Sequence, residues 1–275
     1  MRRHASLWAG SALLAVAVGL VLLGYLWLPA DPLALGGERF SPPSLSHPMG
    51  TDWFGRDVLA RVLVGGRTSL AVALAAVALG GALGALVGGV AGYYGGLADE
   101  IGMRATDFLI AFPALLLALL LAALLGPGPL GVTIAIGVFN VPYFARIVRS
   151  AVLTLREQEY VLAARAVGTG DARILWRHIL PNLASPLLVQ VTVSLSAALL
   201  SEAALSYLGL GTQPPQPSWG RMLKEAQSYF ALSPWPAVFP GLFLALTVLG
   251  LNLLGDGLRD LLDPRLRRLT PWRQP

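Results

Sequence analysis

Residues 69–92 read SLAVALAAVALGGALGALVGGVAG and contain no charged side chain. A helix needs about 20 apolar residues to cross the hydrocarbon core of a bilayer, so this stretch is long enough to span a membrane. Its glycines recur at every fourth position, at Gly80, Gly84, Gly88 and Gly92. This spacing places them on one helix face, where small residues let a second helix approach closely. The stretch therefore predicts a membrane helix packed tightly against a neighbour.

The composition of the whole chain indicates the same class. Of 275 residues, 55% are hydrophobic and 13% are charged, a balance typical of an integral membrane protein. The same length criterion gives six candidate spans, at residues 7–29, 69–92, 108–126, 130–148, 183–207 and 236–256. The first resembles a signal peptide, but its apolar run extends past Trp27 without a clear cleavage site, so we expect a retained anchor. We predict an all-α membrane protein with six transmembrane helices.

Several activities are disfavoured by what the sequence lacks. It has no cysteine and three scattered histidines, which excludes thiolate chemistry and a local zinc motif. It has no Gly-x-x-x-x-Gly-Lys-Ser/Thr phosphate loop, and its only lysine is Lys224. Paired carboxylates without a nearby histidine make an intramembrane hydrolase a weak alternative. We expect a non-catalytic chain that binds no cofactor, no metal and no nucleic acid.

The arginines predict an orientation, because cytoplasmic loops of membrane proteins carry an excess of positive charge. Three regions are arginine-rich, namely residues 1–3, 146–177 and 259–273. We expect these regions, and hence both termini, to be cytoplasmic. By alternation the outward-facing connections are residues 31–67, 126–129 and 209–235. This gives an anchor helix at 1–30, an external segment at 31–68, a five-helix core at 69–258 and a cytoplasmic tail at 259–275.

Residues 159–182, EYVLAARAVGTGDARILWRHILPN, form a polar and cationic island between predicted spans. The pattern predicts a helix over 156–167, with one side formed by Tyr160, Ala163, Ala164 and Val167. Gly168 is expected to end this helix, and Thr169 or Asp171 to cap a second one. Pro181 favours the first turn of the fifth span. The result would be a bent cytoplasmic hairpin at residues 156–182, although such amphipathic loops can also simply lie on lipid headgroups.

The island resembles a known motif. AARAVG at 163–168, followed by RHILPN at 177–182, is similar to the EAA loop of ABC importer permeases, whose coupling helix docks on the ATP-hydrolysing subunit. The resemblance implies a type I ABC importer transmembrane domain, with a docking bend at Gly168, Thr169, Gly170 and Asp171. Leu162 departs from the general motif, which usually has Glu there. The matching positions are Ala163, Ala164, Gly168, Leu180 and Pro181, joined in the peptide-importer version by Glu159, Tyr160, His178 and Asn182.

Three further blocks resemble one branch of that family. They are HPMGTDWFGRDVLARVLVGGRTSL at 47–70, LSYLGLGTQPPQPSWGRML at 205–223 and GDGLRDLLDPRLR at 255–267. All are similar to the C-type membrane subunit of dipeptide, oligopeptide and nickel importers. The resemblance implies half of a translocation pathway in a prokaryotic inner membrane, completed by a homologous second permease. It also implies two ATPase subunits that hold ATP and Mg, and an extracytoplasmic solute-binding protein.

The external blocks contain a second group of candidate residues. Asp57 and Arg61 are four residues apart, as are Asp52 and Arg56, so both can form local pairs. These pairs could shape an outer gate or the seat of a binding protein. They could equally be the solvated charges of a surface helix, worth a few tenths of a kcal/mol per pair.

Two more residues join this external group. Glu202 lies about 30 Å along the fifth span from Pro181, which predicts a gate or an external-loop anchor near the outer interface. Prolines at 214, 215 and 217 preclude a regular helix. Trp219 suits an aromatic belt at the membrane surface.

Two other functions remain open from the residues alone. An ion- or proton-driven carrier would need ionisable residues at the midplane and inverted repeats, and neither is clear here. A membrane scaffold without transport activity is the second. The solute is not selected by the sequence, so peptides, nickel complexes and oligosaccharides are all compatible with it.

Overall fold

The computed structural model describes residues 5–262, of which about three quarters are helical. Five helices are long and apolar enough to cross a membrane, or six if one bent pair counts as a single span. This confirms the predicted all-α membrane fold, while Arg2, Arg3 and the tail beyond Leu262 lie outside the described residues. The α-helices are α1 (Ala5–Leu23), α2 (Val58–Tyr94), α3 (Gly96–Ala111), α4 (Ala114–Leu125), α5 (Pro129–Leu155), α6 (Glu159–Ala166), α7 (Asp171–Arg173), α8 (Ala184–Tyr207), α9 (Trp219–Gln227) and α10 (Trp235–Leu262).

The third predicted span is not one helix. α3 and α4 meet at a bend of 94°, so the expectation of an uninterrupted span over 108–126 is wrong. The break falls at Phe112, whose backbone is extended, and at Pro113. A proline disfavours helical geometry at the residue before it, which accounts for the position of the break. The bend leaves α4, with 12 residues, too short to cross a bilayer alone.

The glycine strip, defined as Gly80, Gly84, Gly88 and Gly92, packs against α5 as predicted. A Cβ atom on Gly84 would lie 2.6 Å from the carbonyl oxygen of Val141, and one on Gly80 would lie 2.6 Å from that of Gly137. Neither distance leaves room for a side chain. The α2 and α5 backbones are therefore in direct contact along the strip.

The connections between helices gather at two opposite ends of the molecule. At one end the start of α1 meets the end of α10, where Gly257 faces Leu7. The beginning of α8 lies at the same end, since Pro186 and Arg259 line a common cavity. At the other end the backbone N–H of Gly128 donates to the carbonyl of Leu210 at 2.9 Å. The bent hairpin thus lies at the end of both described termini, and the proline-rich loop lies at the other.

Candidate functional site: the bent hairpin and the charge cluster

The first arm of the hairpin is α6, which ends in a glycine turn. Gly168 has φ +79°, a left-handed conformation that glycine adopts without strain. The N–H of Gly168 donates to the carbonyl of Arg165, and that of Thr169 donates to the carbonyl of Ala164, each at 3.0 Å. This is the Schellman arrangement, which satisfies carbonyls that a helix end otherwise leaves free. The prediction that Gly168 ends the helix is confirmed, although the helix begins at Glu159 rather than at Arg156.

The second arm is continuous with the next membrane helix. α7 leads into a π-helical segment, Ile174–Ile179, then a 3₁₀ segment, Leu180–Leu183, and then α8. The residue at the N-cap is Gly170, so the prediction that Thr169 or Asp171 caps this helix is wrong. Pro181 lies inside the 3₁₀ segment, just before the regular helix of the fifth span.

The hairpin is held by its own hydrophobic core. Val161 and Ile174 are fully buried and face each other across the bend, in a cluster that also contains Val148 and Val152 of α5. Val161, which lies outside the side formed by Tyr160, Ala163, Ala164 and Val167, is the residue of α6 that turns inward. Val167 is 81% exposed and Tyr160 is 41% exposed. The side of α6 that carries them faces away from the bundle.

The remaining residues of the predicted docking surface fall into two groups. The structure leaves six of them open at the surface: Glu159, Ala163, Gly168, Gly170, Asp171 and Pro181. Four are half-buried against the bundle: Ala164, Thr169, His178 and Leu180. Asn182 is exposed and donates from Nδ2 to the carbonyl of His178 at 2.7 Å. Leu162, at the position where the family motif usually has Glu, is 50% exposed. The bend thus presents a small-residue surface with apolar side chains at its margin.

At the opposite end, the external residues form a buried charge cluster, defined as Asp52, Arg56, Arg61, Arg221 and Glu225. Arg56 Nε donates to Asp52 Oδ2 at 2.7 Å, and Arg61 bonds the same carboxylate. Arg61 also donates to Glu225 Oε2 at 2.9 Å, and Arg56 does so at 3.1 Å. The Arg61 side chain is 2% exposed. The interpretation of these charges as a solvated surface helix is therefore wrong.

Asp57 does not pair with Arg61, so that part of the prediction is also wrong. Asp57 is the N-cap of α2, and its Oδ1 accepts from the N–H of Ala60 at 2.7 Å. Its other oxygen, Oδ2, lies 2.9 Å from Nδ1 of His47. Both oxygens of the Asp57 carboxylate are thus engaged, one by the helix cap and the other by the histidine. Asp57 instead fixes the point at which the external segment becomes α2.

Glu225 completes the cluster and was not found from the sequence. It lies on α9, far along the chain from its partners Arg56 and Arg61, and Arg221 Nε donates to its Oε1 at 3.0 Å. Burial alone would raise the pKa of the Glu225 carboxyl, but the charge and hydrogen bonds of Arg61, with those of Arg221 and Arg56, hold its pKa below the ordinary value. The cluster therefore ties the external segment to α9 as a set of ionised groups.

Glu202 anchors the adjoining loop at the end of α8. It is 1% exposed, and its Oε1 accepts from Ser206 Oγ at 2.7 Å. The hydroxyls of Ser69 and Ser218 also face this carboxyl group. Each serine oxygen in turn accepts a backbone N–H from the loop or from the start of α9: those of Thr212, Trp219 and Arg221. The position next to the external loop agrees with the predicted anchor.

Trp219 is a core residue, so its assignment to an aromatic belt is wrong. It is fully buried, and its Nε1 donates to the carbonyl of Val62 at 2.9 Å. Its ring lies 6.2 Å from that of Phe243. The side chain joins α9 to α2 and α10 rather than to lipid. The residues from 208 to 218 form no regular helix, as the prolines predicted.

An apolar groove lies between the two ends. It encloses 350 Å³ between α2, α5 and α8, and its walls are small or aliphatic apart from Phe144 of α5. Gly81 and Ala82 contribute from α2, and Leu187 and Val191 from α8. The groove has no charged lining residue, so a ligand there would be recognised by its shape rather than by ionic contacts. A ligand there would meet few directed hydrogen bonds.

The structure is a polytopic helical bundle with a bent hairpin at one end and a loop assembly held by buried polar contacts at the other. Residues 80–268 match the family described as "Binding-protein-dependent transport system inner membrane component", and the chain belongs to that family. It is therefore a multi-pass permease subunit of an ABC importer, and its role in transport is non-catalytic.

Characterised relatives support the same assignment. The chain is 46% identical to the dipeptide transport system permease protein DppC of Alkalihalophilus pseudofirmus, over 230 residues that cover 84% of this chain and 76% of that protein. It is 50% identical to the glutathione transport system permease protein GsiD of Escherichia coli O157:H7, over 225 residues that cover 82% of this chain and 74% of that protein. GsiD of Shigella sonnei matches equally well, at 50% over 225 residues.

Proposed function

We propose that this chain forms half of the translocation pathway of an ATP-driven importer for peptides. The names of its relatives, a dipeptide permease and a glutathione permease, support peptide-like solutes. The apolar groove fits this class, because a path without charged side chains does not select among peptide side chains. A homologous but different permease would complete the pathway. Most of the selection would then rest with a solute-binding protein outside.

The bent hairpin is the proposed attachment point for an ATPase subunit. The observation that carries this proposal is the exposed bend at residues 168–171, held from below by a core that joins α6 to α5 and to the start of α8. An exposed bend with small side chains can enter a groove on a partner protein. Because a packed core supports the bend, it can transmit the partner's movement to the membrane helices. ATP and Mg would bind to the ATPase subunits, and this chain would hold no cofactor.

The charge cluster and the Glu202 anchor are proposed to form the outer end of the pathway. They hold the external segment and α9 in fixed positions beside the ends of α2 and α8. A fixed outer surface gives a solute-binding protein a defined seat beside the outer gate of the pathway. The buried side chains of these residues would hold the external segment in place rather than contact a partner directly; they are Asp52, Arg56, Asp57 and Arg61. The hairpin and both termini would be cytoplasmic.

Reconstitution tests the proposed function. The chain is expected to support uptake of a radiolabelled dipeptide or of radiolabelled glutathione only when the second permease, the ATPase subunits, the binding protein and ATP are all present. Uptake that persists without ATPase subunits and follows a proton or sodium gradient would instead show a secondary carrier. The absence of uptake under every condition would favour a scaffold.

Replacing Gly168 with valine tests the hairpin. A β-branched residue at φ +79° is strained, whereas no neighbouring atom lies within 4 Å, so the effect comes from the backbone alone. Gly168→Val is expected to reduce both ATPase copurification and uptake by about tenfold, the change that 1–2 kcal/mol of left-handed strain produces.

Gly170→Val is the matched control. Gly170 also has open space around it, but its φ of −65° and ψ of 147° suit valine. Because this variant adds bulk to the same proposed docking bend without straining the backbone, it should lose less ATPase copurification than Gly168→Val does. Equal losses in the two variants would show that bulk, rather than the bend, matters at this surface.

A further inference from the structure

Tyr93 lies at the end of α2 and reaches into the hairpin. It is 7% exposed, and its hydroxyl donates to Asp171 Oδ1 at 2.6 Å. The same hydroxyl accepts from Arg165 Nη2 at 3.3 Å, while the Arg165 guanidinium lies 5.8 Å from the centre of the Tyr93 ring. One side chain of α2 therefore bonds to both arms of the bend. α2 and the hairpin are not adjacent in the sequence, so these side-chain contacts connect them through space.

Other contacts bind the same end of α2 to α5. The Nη1 of Arg156 donates to the carbonyl of Gly92 at 2.9 Å, and a Cβ on Gly92 would lie 2.9 Å from the carbonyl oxygen of Arg149. Arg149 also forms a two-pronged ion pair with Asp99 of α3, with Nη2 2.6 Å from Oδ2. Together with the glycine strip, these contacts make α2, the start of α3 and α5 one packed unit.

The connection from the hairpin to α8 is different in kind. It passes through π-helical and 3₁₀ turns between Ile174 and Leu183, with Pro181 in the second. Departures from regular α-helix geometry and prolines are where helices bend. The hairpin is thus joined to α2 and α5 by packing and side-chain bonds, and to α8 through an irregular helix.

We infer that Tyr93 is a positioning residue for transport: it latches the hairpin to the α2–α5 pair, so that a movement of the hairpin turns these two helices together. The irregular helix at 174–183 then bends, so that α8 does not move together with α2 and α5. Because α2, α5 and α8 line the apolar groove, such a movement changes the width of the groove. This inference rests on the proposed function, in which an ATPase subunit moves the hairpin.

The test removes a single hydroxyl group. Tyr93→Phe keeps the ring and its packing but loses both hydrogen bonds. In the reconstituted complex with ATPase subunits and binding protein, we expect dipeptide uptake per ATP hydrolysed to fall about tenfold or more, the loss expected when a hydrogen bond to a charged group is removed. Copurification of the ATPase should be unchanged. Tyr94→Phe is the matched control, because Tyr94 is 54% exposed on the next position of α2, and this variant should behave as the wild type.

A second measurement on the purified chain does not depend on transport. The sequence has no cysteine, so nitroxide labels can be placed at Leu97→Cys, just after α2, and at Ala166→Cys, at the end of α6. We expect a narrow distribution of label-to-label distances with Tyr93 and a broader one with Tyr93→Phe. An unchanged distribution, an unchanged ratio of uptake to hydrolysis, or a loss of ATPase binding in Tyr93→Phe would each overturn the latch. A wild-type complex without ATP-dependent uptake would overturn the proposed function, while the distance measurement would still decide on the latch.

Discussion

The carboxylate of Glu225 stabilises the charge cluster in a pH-dependent way. Its pKa is lowered in the folded protein, so the free energy that it contributes is present above the ordinary pKa of the unfolded chain and is lost as the pH falls through the lower folded value. We expect the free energy of unfolding in detergent to decrease as the pH is lowered from 6 to below 4. Thermal unfolding followed across this range measures the effect.

Glu225→Gln provides the comparison. At neutral pH this variant should be less stable by about 1–3 kcal/mol, because the Arg56 and Arg61 guanidinium groups lose a charged acceptor. Its stability should also vary less with pH below 5 than that of the wild type. If both proteins lose stability in parallel on acidification, carboxylates other than Glu225 cause the loss.

Single-residue roles were predictable where they depend on neighbours in the sequence. The role of Gly168 was predicted because a glycine directly after a helical pattern commonly ends the helix. Trp219 was misassigned, since a tryptophan in an external loop has the same local signature whether it faces lipid or, as here, a buried carbonyl. Glu225 and Tyr93 were missed because Arg61 and Asp171, the partners that place them in the charge cluster and in the hairpin, lie 164 and 78 residues away. No local pattern marks such contacts.

At the level of helices, the α2–α5 contact makes a sharp prediction. A Cβ on Gly88 would fall well inside contact distance of the Ala145 backbone, so Gly88→Ala is expected to lower the stability by about 1–3 kcal/mol. A Cβ on the adjacent Gly89 would meet nothing nearer than 3.8 Å. Gly89→Ala should be neutral or slightly stabilising, because alanine favours a helix.

Thermal unfolding of the two purified variants distinguishes backbone contact from a general need for glycine. Equal destabilisation by both substitutions would contradict the close packing of α2 on α5. The pair is well matched, because both glycines lie in the same turn of the same helix.

The positions of the membrane helices were predictable from the lengths of the apolar stretches, but the positions of the breaks within them were not. Pro113 interrupts the third span, whereas Pro142 and Pro240 lie inside α5 and α10 without ending them. Pro142 and Pro240 are buried against neighbouring helices, whose packing compensates for the missing hydrogen bond. Whether a proline breaks a membrane helix thus depends on contacts that the sequence does not display.

For the whole molecule, the predicted orientation can be tested directly because the chain contains no cysteine. A single cysteine at Leu45, which is fully exposed, should react with a membrane-impermeant maleimide in intact cells. One at Ala166, in the bent hairpin, should react only after the membrane is permeabilised. The reverse pattern would place the hairpin outside and exclude its docking to an ATPase.

The charge cluster also has a consequence for how the protein is made. Arg61 and Glu225 are 164 residues apart, which at 5–20 residues per second corresponds to about 8–30 s of synthesis. In the proposed orientation the early external segment is translocated within this interval, but its later partner has not yet left the ribosome. The outer end of the bundle therefore cannot reach its final structure until α9 has been made. In the proposed orientation, a nascent chain stalled before α9 would expose that segment to periplasmic or cell-surface proteases, even though the five predicted spans before α9 had been made.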